Sequence, residues 1–423
     1  MSPLSSQATE AAAPVKPIAR IADLDILRGI ALFGILVVNL ALFAHPMFQY
    51  AAESRIPTGP LQDSAAFFIR MFFEGKFITL FSFLFGLGFY IFTERLREKN
   101  LSAGIVFSRR MGVLLLIGLA HGYFFWAGDI LLPYAIIGLL LLFFLNRTDK
   151  TIKIWIGIAL GLLVVFNAAI VALVAWGMSV PEAAVEIEAA FAQQRQEFQA
   201  QLDRGYLVYL EGSFRDMIAY RQEELRFAWF GMLFTPAGYA WIFSVFMFGL
   251  LVARKGAGLL NNPIQLREWF IPKRQQNLLA GLLFSALYAW AGLHADAVGM
   301  NLWVLLQMLS FLIGTPALTM AYVGYTLRLL EKHEAGESSI GRHLHLAAPV
   351  GRMALTNYIA QSVICTTIFY GYGLGFYGSL SPLGTIPLAV AIFAVQIVYS
   401  NYYFKTRRMG PLEWAWRKAT YLR

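Results

Sequence analysis

The sequence predicts an all-α polytopic membrane helix bundle of about ten transmembrane helices with both termini cytoplasmic, and three observations predict it. Hydrophobic residues make up 58% of the chain and charged residues 14%, against roughly 25% charged in a soluble domain, so a soluble fold would leave much apolar surface in water. Apolar stretches of about 18 residues or more, the length that crosses a bilayer core, recur along the whole chain. The basic residues gather in short segments on alternate sides of those stretches, so the net charge of +9 orients a membrane protein and does not mark a nucleic-acid surface. Cys365 is the single cysteine and excludes an intramolecular disulfide, and the six histidines are scattered without zinc spacing. No structural metal and no permanently bound cofactor is expected.

In chain order, residues 1–24 read as a disordered cytoplasmic tail, the first 20 rich in Ala, Ser and Pro. An amino-terminal membrane region, 25–177, carries spans at 26–45, 76–93, 111–127, 130–146 and 153–177. The first begins after Asp25 and Arg28 and is followed by further spans, which reads as a retained helix rather than a cleaved signal peptide. The stretch 64–74 reads as a short interfacial or re-entrant helix broken from the next span at Gly75, because one continuous helix would far exceed a bilayer. Residues 178–226 form an extracytoplasmic amphipathic segment in which Ile187, Phe191, Phe198 and Leu202 make one helical stripe among Glu and Gln. It is read as helices packed on the membrane domain, with a lid as the alternative. A carboxy-terminal membrane region, 227–404, carries spans at 228–252, 277–294, 300–327, 353–372 and 383–403, and 405–423 is a cytoplasmic interfacial tail whose Trp414 and Trp416 suit membrane anchoring. With the amino terminus inside, 26 of the 34 Lys and Arg residues fall on the inner side, and five of the others lie in 178–226, where acids outnumber them. No internal repeat is visible.

Polar groups within spans are costly in hydrocarbon, so each needs a partner or a task. Asp25 and Arg28 open the first span and Asn39 follows on the face of Arg28, about 16 Å further along the helix. An Asp25–Arg28 pair at i,i+3 with Asn39 bonded to a neighbouring helix is the structural alternative to a polar track. His121 precedes Asp129 by eight residues, with Gly122 and Gly128 allowing a tight path between them. That spacing suits a general base and its orienting acid, or a hydrogen-bonded helix end with Asp129 capping the next helix. Asn357 and Gln361 are i,i+4 neighbours on a helix that Arg352 begins, suited to a substrate or to interhelical bonds. The glycine-rich run 371–378 is not a phosphate loop, since no strand precedes it and no Lys-Ser/Thr follows. Lys76, at the outer start of the second span, is read as snorkelling or as a substrate contact.

Together these motifs resemble the YeiB-like family (domain of unknown function 418) of bacterial inner-membrane proteins. The resemblance rests on Asp25-Ile26-Leu27-Arg28-Gly29 with Asn39, Lys76-Phe77 to Phe85-Gly86, His121-Gly122 with Gly128-Asp129-Ile130-Leu131 and Tyr134, Gly351 to Tyr358, and Gly410-Pro411-Leu412-Glu413-Trp414. It covers nearly the whole chain and implies a multi-pass protein of the bacterial cytoplasmic membrane. Through the first helix that family is similar to transmembrane acyltransferases, the acyltransferase-3 proteins and the lysosomal heparan glucosaminide acetyltransferases, which deliver an acyl group from cytosolic acyl-CoA across a membrane. The acyltransferase-3 pattern has a His after ten intervening residues from the helix-one Arg, where this chain has Asn39. The heparan-type enzymes also have Asn there, and His45 and His121 are the histidines available here.

The implied function is an acyl-CoA-dependent acyltransferase acting on an acceptor hydroxyl or amine near the outer face. Arg28 and Arg110 would meet the CoA phosphates, with Asn39 beside the acyl-pantetheine. His121 would act as the base and Asp129 as its orienter, and Lys76, Arg352, Asn357 and Gln361 would contact substrate. A transporter or flippase of a small metabolite or lipid, and a non-catalytic membrane subunit, stay open as alternatives. Membrane lipids and a small-molecule substrate are the expected partners, nucleic acid is not, and self-association is left open.

Overall fold

The structure, a computed structural model, describes residues 22–46, 59–234, 237–255, 264–296 and 298–422, of which 228–234, 237–238 and 264–265 are described by backbone alone. The expected disordered tail lies outside the described residues up to position 21. Residues 22–24 correct its boundary, because they form the first turn of a helix in which Asp23 is buried and bonded to Arg267 at 3.0 and 3.1 Å.

The described residues contain helices and no strand. In order they are α1 (Ala22–Ala44), α2 (Pro60–Phe72), α3 (Lys76–Arg97), α4 (Ala103–Phe124), α5 (Leu131–Leu140, extended by a 3-10 turn to Phe144) and α6 (Asp149–Met178). Then follow α7 (Pro181–Glu211), α8 (Phe214–Phe234), α9 (Ala237–Lys255), α10 (Ile264–Phe270), α11 (Arg274–Ala291) and α12 (Leu302–Glu334). The chain closes with α13 (Ile340–His345), α14 (Ala347–Arg352), α15 (Ala354–Phe369), α16 (Pro382–Tyr403) and α17 (Pro411–Tyr421).

Six segments are long and apolar enough to cross a membrane: α1, α2–α3 taken together, α4, α6, α12 and α16. The 3-10-extended α5 and α15 are shorter apolar helices. The expected spans at 228–252 and 277–294 correspond to α9 and α11, of 19 and 18 residues, which are not among the six. Membrane character shows most plainly in α6, where only 11% of the most apolar window is buried and Leu162, Val165, Leu173 and Trp176 stand bare. Such a surface is stable only against lipid or another protein.

The expected break between α2 and α3 falls at Gly75, whose φ of +79° is the left-handed conformation that a residue with a Cβ rarely adopts. Gly29 and Gly351, each in a quoted motif, have a different task. A Cβ on Gly29 would stand 2.2 Å from the carbonyl oxygen of Ala347, and one on Gly351 would stand 1.9 Å from that of Asp25. The α1 and α14 backbones therefore touch, which fixes the start of α15 relative to α1. Helix α15 is set from a second side by the tail. Glu413 of α17 accepts from the Thr356 amide at 3.1 Å and from its hydroxyl at 2.6 Å, so a carboxylate caps the positive end of α15. The interfacial tail is thus docked in the bundle, with Trp416 Nε1 donating to the Arg110 carbonyl at 2.8 Å.

The segment 178–226 is a helical hairpin of α7 and α8 folded onto the bundle. Its apolar stripe faces inward: Leu202 is buried, Phe198 meets Phe227 edge-on, and Tyr209 and Tyr220 join a core cluster with Phe369, Tyr370 and Tyr377. The Gly371 amide donates to the Tyr209 carbonyl at 2.7 Å, which ties the glycine-rich run to this hairpin.

Candidate functional site

Helix α4 ends in the run Tyr123-Phe124-Phe125-Trp126, where the amides of Phe125 and Trp126 both turn back to the His121 carbonyl at 2.9 and 3.0 Å. The chain then reverses, and Asp129 begins the next helix by accepting from the Leu132 amide through Oδ2 at 2.7 Å, as a capping carboxylate does. This reversal brings a carboxylate eight residues away back onto the imidazole. Asp129 Oδ1 lies 2.7 Å from His121 Nδ1, and both side chains are buried.

A carboxylate that already accepts from an amide offers His121 an acceptor, so the proton sits on Nδ1 and the lone pair on Nε2. That lone pair meets the hydroxyl of Ser362, 2.8 Å away and wholly buried in the middle of α15. Four residues earlier on α15, Tyr358 lies with its ring 5.2 Å from the imidazole, and its hydroxyl accepts from the Ile130 amide at 3.3 Å. The result is a Ser–His–Asp relay assembled from α15, α4 and the turn that leads into α5, with the arrangement that activates a hydroxyl in acyl transfer.

A cavity of about 290 Å³ lies beside the relay, lined by Asp129 itself and by Gly118, Gly122, Tyr123, Leu132 and Tyr239 among others. The glycine that the site requires is Gly118, which was not singled out from the sequence. A Cβ there would stand 2.5 Å from the Leu132 nitrogen and 3.0 Å from Asp129 Oδ2. Gly122 leaves room for a Cβ, at 3.4 Å or more from its neighbours, and a Cβ on Gly128 would strike the Trp126 indole. Neither has positive φ, so the tight path expected of these two glycines is a helix end and a ring contact.

The other histidine is closed. His45 Nδ1 meets the Tyr206 hydroxyl at 2.9 Å and Nε2 meets the Leu380 carbonyl at 3.0 Å. With both nitrogens used, this imidazole has no site left for a substrate.

Most of the remaining sequence-selected residues fall in two places. At the end of the bundle where α17 docks, Arg28 pairs with Asp25 at 3.1 Å, as the i,i+3 spacing predicts. Arg110 is held between aromatic rings, its guanidinium 3.6 Å from the Trp416 centroid and 5.1 Å from Phe92. Arg352 stacks 4.0 Å over Phe404. Inside the bundle, Asn357 donates to the Val350 carbonyl and to Ser400 Oγ, both at 3.1 Å, Gln361 donates to Gln396 Oε1 at 2.9 Å, and Gln396 returns a bond to the Asn357 carbonyl at 2.9 Å. Asn39 is half-buried and makes no hydrogen bond among the described residues.

Lys76 corrects the snorkelling reading. Its side chain is completely buried, with Nζ donating to the Arg70 carbonyl at 3.0 Å and lying 5.1 Å from the Tyr288 ring. Its neighbours come from α2, α11 and α12, none of which contributes to the relay. Ser362 and Tyr358 are the residues sequence reasoning missed. Both stand on α15 beside Asn357 and Gln361, and only the rotation of that helix shows which of its polar groups meet the histidine.

The family described as "Protein of unknown function (DUF418)" matches residues 264–423. Over 417 residues, covering 95% of this chain and 94% of the relative, the sequence is 33% identical to "Uncharacterized protein YxaH" of Bacillus subtilis. It is 30% identical over 408 residues to "Uncharacterized 39.9 kDa protein in amylase 3'region" of Bacillus acidopullulyticus, covering 96% of this chain and 94% of the relative. It is 28% identical over 403 residues to "Uncharacterized protein YeiB" of Escherichia coli, covering 94% and 95%. No solved structure matches. The match in the carboxy-terminal region, which contributes Ser362 and the docked tail, and the nearly full-length similarity to YxaH place this chain in the YeiB-like DUF418 family.

Proposed function

We propose that this protein is an integral membrane acyltransferase that moves an acyl group from cytosolic acyl-CoA to a hydroxyl or amine of an acceptor, such as a sugar, near the outer face of a bacterial cytoplasmic membrane. The observation that carries the reading is the His121 imidazole held between the Asp129 carboxylate and a hydroxyl. An acceptor hydroxyl is a poor nucleophile at neutral pH, and a base whose tautomer is fixed by a carboxylate removes that barrier as the bond to the acyl carbon forms.

In this reading about ten helices cross the membrane with both termini inside, so the α17 end faces the cytoplasm. There Arg28, Arg417 and Arg110 share one electrostatic neighbourhood, and with Arg352 they offer cations to the phosphates of CoA. Arg110 and His121 lie eleven residues apart on α4, a rise of about 16 Å that an extended pantetheine arm spans. Asn39, without a hydrogen bond among the described residues, is available to the arm.

The test uses purified protein in lipid nanodiscs with acetyl-CoA and a panel of sugars. CoA release and acyl-sugar formation are expected, with both falling about 10³-fold in folded His121→Ala, within the range that a general base contributes. Counterflow of a metabolite into proteoliposomes, together with no acyl transfer from any acyl-CoA, would favour transport and overturn the proposal.

A further inference from the structure

Serine and threonine hydroxyls inside a helix have a partner at hand in the carbonyl one turn back, and this protein uses it repeatedly. Thr93 donates to Phe89, Ser244 to Ala240, Thr319 to Thr315, Thr367 to Val363 and Thr420 to Trp416. Ser362 departs from this habit. Among the described residues its hydroxyl meets His121 Nε2 at 2.8 Å and no backbone carbonyl. The imidazole it meets is the one fixed by Asp129, while His45, the other candidate, is closed by a tyrosine and a carbonyl.

We propose that Ser362 is the nucleophile that carries the acyl group as a covalent ester between donor and acceptor, so that transfer proceeds by double displacement. The proposal rests on the acyltransferase reading for the identity of the donor, and on geometry alone for the nucleophile. In the first half, Ser362 Oγ bonds to the carbonyl carbon of the acyl thioester while His121 Nε2 takes the hydroxyl proton. The C–S bond then breaks, and the thiolate leaves as the thiol with the proton from Nε2. In the second half an acceptor hydroxyl or amine attacks the ester carbonyl, its proton passes to Nε2, the bond between the carbonyl carbon and Ser362 Oγ breaks, and the serine recovers its proton. Both halves use the same base, and no other reactant is needed.

The position of Ser362 supports a two-step path. The hydroxyl occupies the only lone pair that the Asp129-bound tautomer leaves free, so an outside acceptor cannot reach Nε2 while Ser362 holds it. After acylation the serine no longer has a proton to give, and Nε2 becomes available to the acceptor.

The test is made on the full chain in nanodiscs with two readouts. A fluorophosphonate probe is applied and the modified peptide is identified by mass spectrometry. Separately, protein is mixed with acetyl-CoA without acceptor, and CoA release is followed before an acid quench and peptide analysis. The expected results are probe on Ser362, at least a hundredfold less in His121→Ala and none in Ser362→Ala, and a burst of about one CoA per active chain with an acetyl group on the peptide that contains Ser362. Wild-type measurements need no variant, so an unstable Ser362→Ala does not blunt the test. Acyl transfer that proceeds with neither a burst nor an acylated serine overturns the covalent step and leaves the acyltransferase reading in place. Probe on Ser362 with no consumption of any acyl-CoA supports the nucleophile and overturns the donor. A wild-type chain with neither probe nor acyl group on Ser362 overturns the proposal outright.

Discussion

Gln361 and Ser362 are adjacent on α15 and equally buried, yet they belong to different kinds of polar structure. Gln361 turns to α16 and enters a closed set of amide and hydroxyl bonds with Gln396, Asn357 and Ser400. None of those groups changes protonation near neutral pH, and each bond joins one helix to another, which is how polar side chains hold transmembrane helices together. Ser362 turns to α4 and meets a histidine backed by a carboxylate. The difference teaches that a buried polar residue in a membrane helix is informative through the chemistry of its partner, since burial and hydrogen bonding are the same in both cases.

The comparison predicts a sharp division between variants that lose chemistry and variants that lose stability. The largest effect is expected for Asp129→Asn, which leaves an oxygen to cap Leu132 while removing the carboxylate that holds the Nδ1–H tautomer. Acyl transfer by the purified variant should fall about 10³-fold, as far as when the base itself is removed, and a loss below tenfold would mean that the tautomer is set by something else. Gly118→Ala should follow, because its new Cβ stands 2.5 Å from the Leu132 nitrogen and 3.0 Å from Asp129 Oδ2. Overpacking of this kind costs about 1–3 kcal/mol, and it should lower both the melting temperature in detergent and the transfer rate. Gly122→Ala, with ordinary contacts, should leave the melting temperature unchanged.

On the other side of α15, Gln361→Leu should destabilise the protein by about 1–3 kcal/mol by leaving Gln396 without its donor, read as a shift in thermal unfolding. Transfer per folded molecule should stay within a few-fold of wild type. The smallest effect is expected for Glu413→Gln, which keeps the hydrogen bonds to Thr356 in part and loses the charge at the start of α15. A cost of about 0.3–1 kcal/mol is typical of a helix-end charge, and a smaller one would show that the tail is held by its Trp416 contact instead.

How much of this was legible in the sequence follows from the chain distance of each contact. The break at Gly75, the Asp25–Arg28 pair and the Asp129 cap join residues within four positions, where helical spacing and capping rules act directly. The His121–Asp129 pair, eight residues apart across one reversal, was still readable as a base and its orienter. Ser362 lies 241 residues from His121, and nothing local to α15 says whether Gln361 or Ser362 turns to the histidine. Lys76 misled because a lysine beginning an apolar helix looks like one that reaches the interface. Its burial comes from α11 and α12, which lie far along the chain, Thr319 of α12 being 243 residues away. The tail motif was read from its tryptophans as a membrane anchor, while its glutamate caps a helix that begins 59 residues earlier.

The central claim is that His121 performs chemistry and the neighbouring amides hold structure, and one paired measurement tests it most directly. Acetyl transfer from acetyl-CoA and thermal unfolding are recorded on the same preparations of wild type, His121→Ala and Gln361→Leu, with activity expressed per folded molecule. The account predicts that His121→Ala loses about 10³-fold in transfer while Gln361→Leu loses stability and keeps most of its activity. Transfer retained by folded His121→Ala and lost by folded Gln361→Leu would contradict it.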